Sequence, residues 1–213
     1  MIKSNDQDPT RQRIFDAAMD CFAHAGYAAT TTRRICEHAG VNLALLSYHW
    51  GSKAELWAAV VHALHTELLE QARLAALEAR SCSLSEIVSG FLDQVVGGLI
   101  RDPRPLRIMA WAQLAPQGFD PAVVQGAYGP AVQAVISFLE GEQRAGQLPG
   151  WVDVPLAVVT FYGLVAEPLL EPAVHRHLFG ADGSEATHGA RIRAHAVRSG
   201  LALLGLAVPG GEG

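Results

Sequence analysis

Apolar residues recur with a helical period in almost every long segment of the chain, and no convincing run alternates apolar and polar residues as a strand would. The first segment is typical, because Asp8 and Pro9 form a helix start and Gly26 suits a left-handed helix end. Between them, apolar residues recur on one predicted helix face. That face consists of Ile14, Ala18, Cys21, Phe22 and Ala25. The pattern predicts an all-α protein.

Two short helices joined by a tight turn are predicted next. Thr30 or Thr31 is suited to cap a helix of about two turns that ends at Gly40. Asn42 is suited to cap a second helix over residues 43–50. Two short helices separated by a glycine turn form a helix-turn-helix motif.

The chain beyond this motif is predicted to be helical as well. Ser52 caps a long helix that continues to about Arg80. Pro168 lies inside an apolar pattern and is expected to kink or end its helix. We place the boundary between a helical head and a larger helical body near residue 53. The remaining helices are predicted near residues 83–101, 104–115, 121–146, 153–171 and 185–207.

Composition restricts the class of protein. Half of the 213 residues are hydrophobic and 17% are charged, which excludes an intrinsically disordered chain. The three cysteines are too few and too widely spaced for a disulfide framework or a zinc site. We expect them to be small buried hydrophobes, and we predict no metal and no cofactor. The N-terminus lacks the apolar core of a secretory signal, so the expected location is the cytoplasm.

Charge is distributed unevenly along the chain. Residues 1–53 contain six Lys and Arg against five Asp and Glu, a net charge of +1. Residues 54–213 contain ten against sixteen, a net charge of −6. Because an acidic surface repels a polyanion, any nucleic acid is expected to bind at the N-terminal end.

The stretch from Thr10 to Leu56 resembles the N-terminal domain of the Tet-repressor (TetR) family of bacterial transcription regulators. The most specific match is the run Tyr48-His49-Trp50-Gly51-Ser52-Lys53, followed by Glu55-Leu56, which is very near the Tyr-His-Phe-Gly-Ser-Lys of the family. The resemblance covers roughly the first quarter of the chain. The other matching residues are Arg13-Ile14, Asp16-Ala17-Ala18, Phe22-Ala23, Gly26-Tyr27, Ala29-Thr30-Thr31, Arg33, Ile35, Glu37 and Ala39-Gly40-Val41.

The resemblance implies that residues 1–53 are a three-helix, helix-turn-helix domain whose last helix enters the major groove of DNA. In the family, the residues matching Tyr48, His49 and Lys53 commonly hold phosphates, a task that suits their hydroxyl, imidazole and ammonium groups. The residues predicted to contact DNA are Thr31, Thr32, Arg33, Asn42, Leu43, Ala44, Ser47, Tyr48, His49 and Lys53.

The recognition helix departs from the family on its outward side. Helical spacing predicts that Leu46 and Trp50 face inward against the first two helices. On the other side, Leu43 stands where many members have lysine or another polar residue, and Ser47 stands where they have tyrosine. Leu43 and the two residues after it are left to meet thymine methyl groups or to pack aside. We therefore expect fewer direct hydrogen bonds to bases and a larger role for DNA shape.

The resemblance also implies that residues 54–213 form a helical domain that binds an effector and forms a homodimer through its last two long helices. Each of these helices carries an apolar stripe, which suits a four-helix interface about a twofold axis. The alternative is an ordinary internal core. One stripe consists of Val197, Leu201, Leu204 and Val208, and the other of Val158, Phe161, Tyr162, Val165 and Leu169.

A cavity for a small, lipophilic effector is implied in the same domain. Apolar walls with a few polar groups suit such a ligand, although each candidate also fits an ordinary core. The candidate ligand-binding residues are Trp111, Tyr128, Phe161, Tyr162 and His175.

The predicted function is a DNA-binding transcription regulator, specifically a repressor released from a palindromic operator by the effector. One alternative is a helical small-molecule-binding dimer without DNA binding. The other is a metal-dependent all-α enzyme, which is disfavoured because the chain has no nucleotide-binding or nucleophile motif. The pairs His62 with His65 and His175 with His177 each lack the three or four ligands of a zinc site.

Overall fold

The computed structural model describes residues 8–78, 82–114, 121–170 and 185–209. Every element of regular structure in these ranges is an α-helix, which confirms the predicted all-α class. None of these helices combines the length and the apolar character needed to cross a lipid bilayer. The helices are α1 (Pro9–Ala29), α2 (Thr32–Ala39), α3 (Leu43–Trp50), α4 (Lys53–Glu78), α5 (Leu84–Arg101), α6 (Arg104–Leu114), α7 (Pro121–Arg144), α8 (Val154–Leu170) and α9 (Glu185–Leu203).

The first three helices begin at predicted N-cap residues, and the structure decides between the two candidates for α2. The side chains of Asp8, Thr31 and Asn42 each accept a hydrogen bond from a backbone N–H of the helix that follows. Thr30 is not a cap. Its buried hydroxyl donates backwards to the carbonyl of Gly26, at 2.7 Å, and so closes the end of α1.

The described residues group into two compact units. The first contains the described parts of Met1–His65 and Arg104–Ala127, and the second those of Thr66–Pro103 and Tyr128–Gly213. The boundary expected near residue 53 would instead assign α6 and the whole of α4 to the C-terminal part. The reason for the difference is packing, because Leu56 and Val60 of α4 and Ile108 of α6 belong to the same buried core as α1–α3.

Gly26 lies near the end of α1, where α6 packs against that helix. Gly26 has φ 70° and ψ 176°, so the regular helix is interrupted there. Residues other than glycine rarely adopt this backbone conformation. A Cβ atom at this position would lie 3.0 Å from the indole ring of Trp111 on α6. The Trp111 indole N–H donates to the carbonyl of Ala23, at 3.3 Å. Gly26 therefore allows α6 to pack closely across α1.

The second unit is built around α9, which packs against α5 and α8. The stripes predicted as dimer surfaces are largely internal, because Leu201, Leu204 and Val165 are buried in the core of this unit. These three residues therefore belong to an internal core, which was the alternative to a dimer surface. Side chains of α5 pack against Leu201 and Leu204 in this core. Pro168 does not stop α8, which continues to Leu170.

Candidate nucleic-acid interface

Helix α3 is held by a cap at each end and by one buried side chain. The Asn42 side-chain oxygen accepts from the backbone N–H of Leu45, at 2.9 Å, and Gly51 ends the helix with φ 68°. Leu46 is 1% exposed and lies in the core with Ile35 and Phe22. These contacts fix which side of α3 faces solvent.

The opposite side of α3 carries the residues predicted to meet DNA. Tyr48 is 81% exposed and Leu43 is 56% exposed, and both Ala44 and Ser47 are exposed as well. An exposed tyrosine and leucine on one short helix form an apolar surface that the described part of the chain leaves uncovered. The predicted outward presentation of these four residues is confirmed.

Trp50 is turned towards α1 rather than towards α2. Its ring lies 5.7 Å from that of Phe15, and the guanidinium of Arg11 lies over it at 4.2 Å. Its indole N–H donates to the carbonyl of Arg11, at 3.1 Å. The sequence correctly predicts that Trp50 faces inward, but its neighbours lie at the start of α1.

Lys53 has internal partners in place of the predicted phosphate. Its ammonium group donates to the carbonyls of Tyr27 and Thr30, each at 2.9 Å, and lies 4.1 Å from the centre of the Tyr27 ring. Burial lowers the pKa of this ammonium group. The side chain therefore fixes the end of α1 to the start of α4.

His49 is also turned inward. Its side chain is only 6% exposed, and its Nε2 atom lies 3.7 Å from a carboxylate oxygen of Asp8. The backbone hydrogen bond from Thr10, supported by the charge of His49, holds the pKa of the Asp8 carboxyl below its usual value. The side chain of His49 and two N–H groups of Lys53 are therefore directed at partners within the protein, whereas the prediction placed both side chains towards the DNA backbone.

Helix α2 contributes the remaining predicted residues. Thr31 is exposed and caps α2 by accepting from the backbone N–H of Arg34, at 3.1 Å, and Thr32 is half-buried in the first turn. Arg33 is exposed and forms an i,i+4 ion pair with Glu37, at 2.9 Å. The pair engages only the Nε–H of Arg33, so its terminal N–H groups remain available to a phosphate.

A charged cluster links α6 to both α1 and α2. Asp20 of α1 accepts from the guanidinium of Arg104, at 2.8 Å, and its other oxygen lies 3.1 Å from Nε2 of His38. Burial alone would raise the pKa of the Asp20 carboxyl, but the hydrogen bonds from Arg104 and His38 outweigh it, and the pKa is lowered. Asp20 thereby ties α6 to α1 and α2.

We expect Asp20→Asn to lower the free energy of unfolding by about 1 kcal/mol at neutral pH, since partly exposed ion pairs contribute no more than that. Because the folded-state pKa of Asp20 is lowered, this stabilisation is present above about pH 4 and is lost as the pH falls further. Denaturant unfolding of both proteins from pH 7 to pH 3 measures it. Asp16→Asn, at an exposed carboxylate that accepts only from Gln12, is the matched control.

The predicted effector-binding residues are divided among different surroundings. Trp111 belongs to the first unit and is engaged with α1, which gives it a packing role there. Phe161 and Tyr162 are half-buried on α8 in the second unit. The side chain of Tyr128 and the whole of His175 lie outside the described residues.

The cysteines and histidines of the described ranges form no metal site. No group of three or more His, Cys, Asp or Glu side chains converges there. Burial raises the pKa of the Cys21 and Cys36 thiols, as expected of small buried hydrophobes, whereas Cys82 is exposed. The side chain of His65, and His175 with His177, lie outside the described residues.

A capped helix-turn-helix whose second helix faces solvent defines this chain as a DNA-binding protein of the helix-turn-helix class. The family model for bacterial regulatory proteins of the tetR family matches residues 14–60. The chain is 31% identical over 172 residues to the HTH-type transcriptional regulator TtgR of Pseudomonas putida, covering 76% of this chain and 81% of TtgR. A second relative from Pseudomonas putida, the probable regulator ArpR, matches to the same extent.

Solved structures show the same fold. SmeT, the repressor of the Stenotrophomonas maltophilia multidrug efflux pump SmeDEF, superposes with a TM-score of 0.67 at 23% identity over 97% of both chains. SmeT has also been solved as a complex with triclosan. A putative fatty acid metabolism regulator of Clostridium perfringens superposes with a TM-score of 0.69 at 17% identity, over 88% of this chain and 97% of the other.

The chain belongs to the TetR family of bacterial regulatory proteins and is a DNA-binding transcriptional regulator. Members of this family bind DNA operators as dimers. The relatives are regulators of transcription, which confirms that the chain is not an enzyme and removes the metal-dependent alternative.

Proposed function

We propose that this regulator is a repressor that binds a palindromic operator as a homodimer and releases it when a small, lipophilic molecule binds. The observation that carries the DNA-binding part is the outward side of α3, where Leu43, Ala44, Ser47 and Tyr48 are exposed opposite a buried Leu46. These four side chains meet the major groove.

Phosphate contacts position the helix and come from the residues around it. The first turns of α2 and α3, capped by Thr31 and Asn42, offer backbone N–H groups to phosphates. Thr32 and Arg33 lie in the same turn of α2 and add a hydroxyl and a guanidinium. His49 and Lys53 act through their internal contacts, by fixing α3 and the start of α4 in place.

The homodimer forms through α8 and α9. Helix α8 exposes Leu156 and Val159, which are 60% and 62% exposed, and Gly163 on the same side. Helix α9 packs beside it and exposes the small residues Ala194 and Ala202. An uncovered apolar face beside small residues suits the close packing of two helices against their twofold mates.

The effector binds within the second unit, where Phe161 and Tyr162 are the described candidates to contact it. The proposal draws on SmeT, which has the same fold and was solved as a complex with the small molecule triclosan. Tyr128 and His175 remain predicted ligand contacts on the sequence alone. Aromatic walls with a few polar groups suit such a ligand.

Release follows from a shift between dimer arrangements. Operator binding requires the two α3 helices to lie about 34–36 Å apart, one turn of DNA. An effector that binds another arrangement more tightly draws the population away from that spacing. Helix α4 contributes residues to both units and is the proposed lever.

Tyr48→Ala and Lys53→Ala are expected to separate DNA contact from structural support. Tyr48→Ala removes an exposed ring and should lower operator affinity about tenfold or more at unchanged thermal stability. Lys53→Ala leaves the carbonyls of Tyr27 and Thr30 without their donor, which should lower the free energy of unfolding by about 1–2 kcal/mol and weaken binding indirectly. Thermal melts, sedimentation and DNA titrations of both variants measure this. Dissociation of the dimer in either variant would contradict the assignment.

Salt dependence tests the function as a whole. Fluorescence anisotropy with the intergenic DNA beside its own gene should show affinity falling steeply with salt, by about a thousandfold between 50 and 200 mM if about six phosphates are neutralised. Binding that is absent at low salt, or is unaffected by salt, would favour the helical small-molecule-binding dimer instead.

A further inference from the structure

We propose that α3 reads thymine methyl groups, and that Leu43, Ala44 and Leu45 carry the sequence preference of the operator by packing on them. The inference rests on the proposed function, since it concerns the same helix and the same duplex. The new element is the chemical group of the major groove that α3 recognises.

Helix α3 and its two flanking turns lack most of the side chains that read bases by hydrogen bonds. Residues 41–52 contain no Lys, Arg, Asp, Glu or Gln. Guanine is read most specifically by Arg or Lys, adenine by Asn or Gln, and cytosine by Asp or Glu. Asn42 is therefore the only side chain of this segment that belongs to those sets. The other polar side chains are Ser47, Tyr48, His49 and Ser52.

Most of these polar groups already have internal roles. The Asn42 oxygen accepts from the N–H of Leu45, which fixes the side chain at the start of α3 and occupies one of the two lone pairs of that oxygen. The Ser52 hydroxyl accepts from the N–H of Glu55, at 3.2 Å, and the His49 side chain is turned towards Asp8. The hydroxyls of Ser47 and Tyr48 remain. A hydroxyl pairs with donors and acceptors alike and discriminates little between bases.

The same helix exposes an apolar surface. Leu43 is 56% exposed, Leu45 is 39% exposed, and Ala44 between them is exposed too. The structure thus resolves the alternative left open by the sequence, because these side chains do not pack aside. In the major groove, the apolar group that distinguishes one base from the others is the C5-methyl of thymine. An apolar helix face without a bidentate donor matches that methyl.

The cations of α2 and of the start of α4 are placed to contact phosphates. Arg33 and Arg34 are exposed on α2, and Arg33 is paired with Glu37. Lys53 is held by two carbonyls at the start of α4. Positive groups on neighbouring elements suit phosphates, which set the register of the protein on DNA but carry no sequence information.

The test uses deoxyuridine, which pairs like thymine and lacks only the C5-methyl. The full-length protein selects its operator from a random duplex library, and each thymine of the selected half-site is then replaced in turn. Loss of one contacted methyl should lower affinity about fourfold, the equivalent of ~0.8 kcal/mol, and loss of the symmetric pair about fifteenfold. Leu43→Ala should abolish the effect at one thymine. Leu74→Ala, at an exposed leucine of α4, should preserve it.

The possible results distinguish a failure of methyl recognition from a failure of the proposed function. A selected operator that tolerates deoxyuridine at every position within twofold would overturn methyl reading and leave operator binding intact. A deoxyuridine effect that Leu43→Ala and Leu45→Ala both leave unchanged would overturn the assignment to these side chains. Failure of the library to yield any enriched sequence, with no salt-dependent binding, would overturn the proposed function itself.

Discussion

Val159→Asp is expected to convert the dimer to a monomer and to lower operator affinity at least a hundredfold. Val159 is exposed on α8, so the change leaves the core of its own unit untouched. In a twofold interface the substitution occurs twice, and each carboxylate loses its water on association without gaining a partner. Analytical ultracentrifugation should then report the 22.7 kDa of one chain, whereas the wild-type protein is expected to have twice that mass.

The matched control is Leu74→Asp, which places the same charge at an exposed leucine of α4. It should remain dimeric and should bind the operator like the wild-type protein. The assignment of the dimer face to α8 would be wrong if Val159→Asp kept both the mass of a dimer and the affinity of the wild-type protein.

Ala44→Glu should abolish operator binding while leaving the protein folded, with a loss of affinity of at least a hundredfold. Ala44 is exposed on the outward side of α3, where a carboxylate would face the phosphates of the groove. Glutamate is a good helix former, and negative charge in the first turn of a helix is favourable, so the free energy of unfolding should not fall. DNA titration and thermal melting measure the two effects separately.

Ala58→Glu is the control for charge alone, since Ala58 is an exposed alanine of α4 in the same unit. It alters the net charge by the same amount and should reduce binding only slightly. Equal losses for the two variants would mean that the charge of the protein, and not the position of α3, governs binding.

Local signals in the sequence predicted the helices well. Caps act within three or four residues, so Asn42 and Gly51 fixed the ends of α3 correctly in advance. Thr30 and Thr31 are both suited to an N-cap by type, and the sequence left the choice open. The choice depends on the buried hydrogen bond from Thr30 to the carbonyl of Gly26, which requires the packed end of α1.

The site was harder to predict where partners are distant in sequence. His49 and Lys53 have the residue types of phosphate ligands, but their partners are Asp8 and the carbonyl of Tyr27, which no local pattern connects to α3. Leu43 carried a signal of the opposite kind. A leucine in place of a polar residue at the start of a recognition helix left two alternatives open, an apolar contact with DNA or packing aside, and the exposure of Leu43 favours the first.

The dimer face shows why periodicity has a limit. An apolar stripe on a helix predicts that the stripe is covered, but it does not say by which chain. Leu201 of α9 and Val165 of α8 are covered by helices of their own unit. Leu156 and Val159, which also lie on α8, are exposed. Only the packed unit distinguishes the two sets.

The central claim is that α3 is presented, in two copies, to the major groove of a duplex. Ser47→Cys in a Cys82→Ser background gives one reactive thiol on the outward side of α3, because Cys21 and Cys36 are buried. An iron–EDTA group attached there should cut operator DNA in two clusters about one helical turn apart, while the same group on Leu74→Cys should not. The claim would be contradicted if the group at position 74 cut the operator and the group at position 47 did not. It would also be contradicted if both groups cut the DNA evenly, without localised clusters.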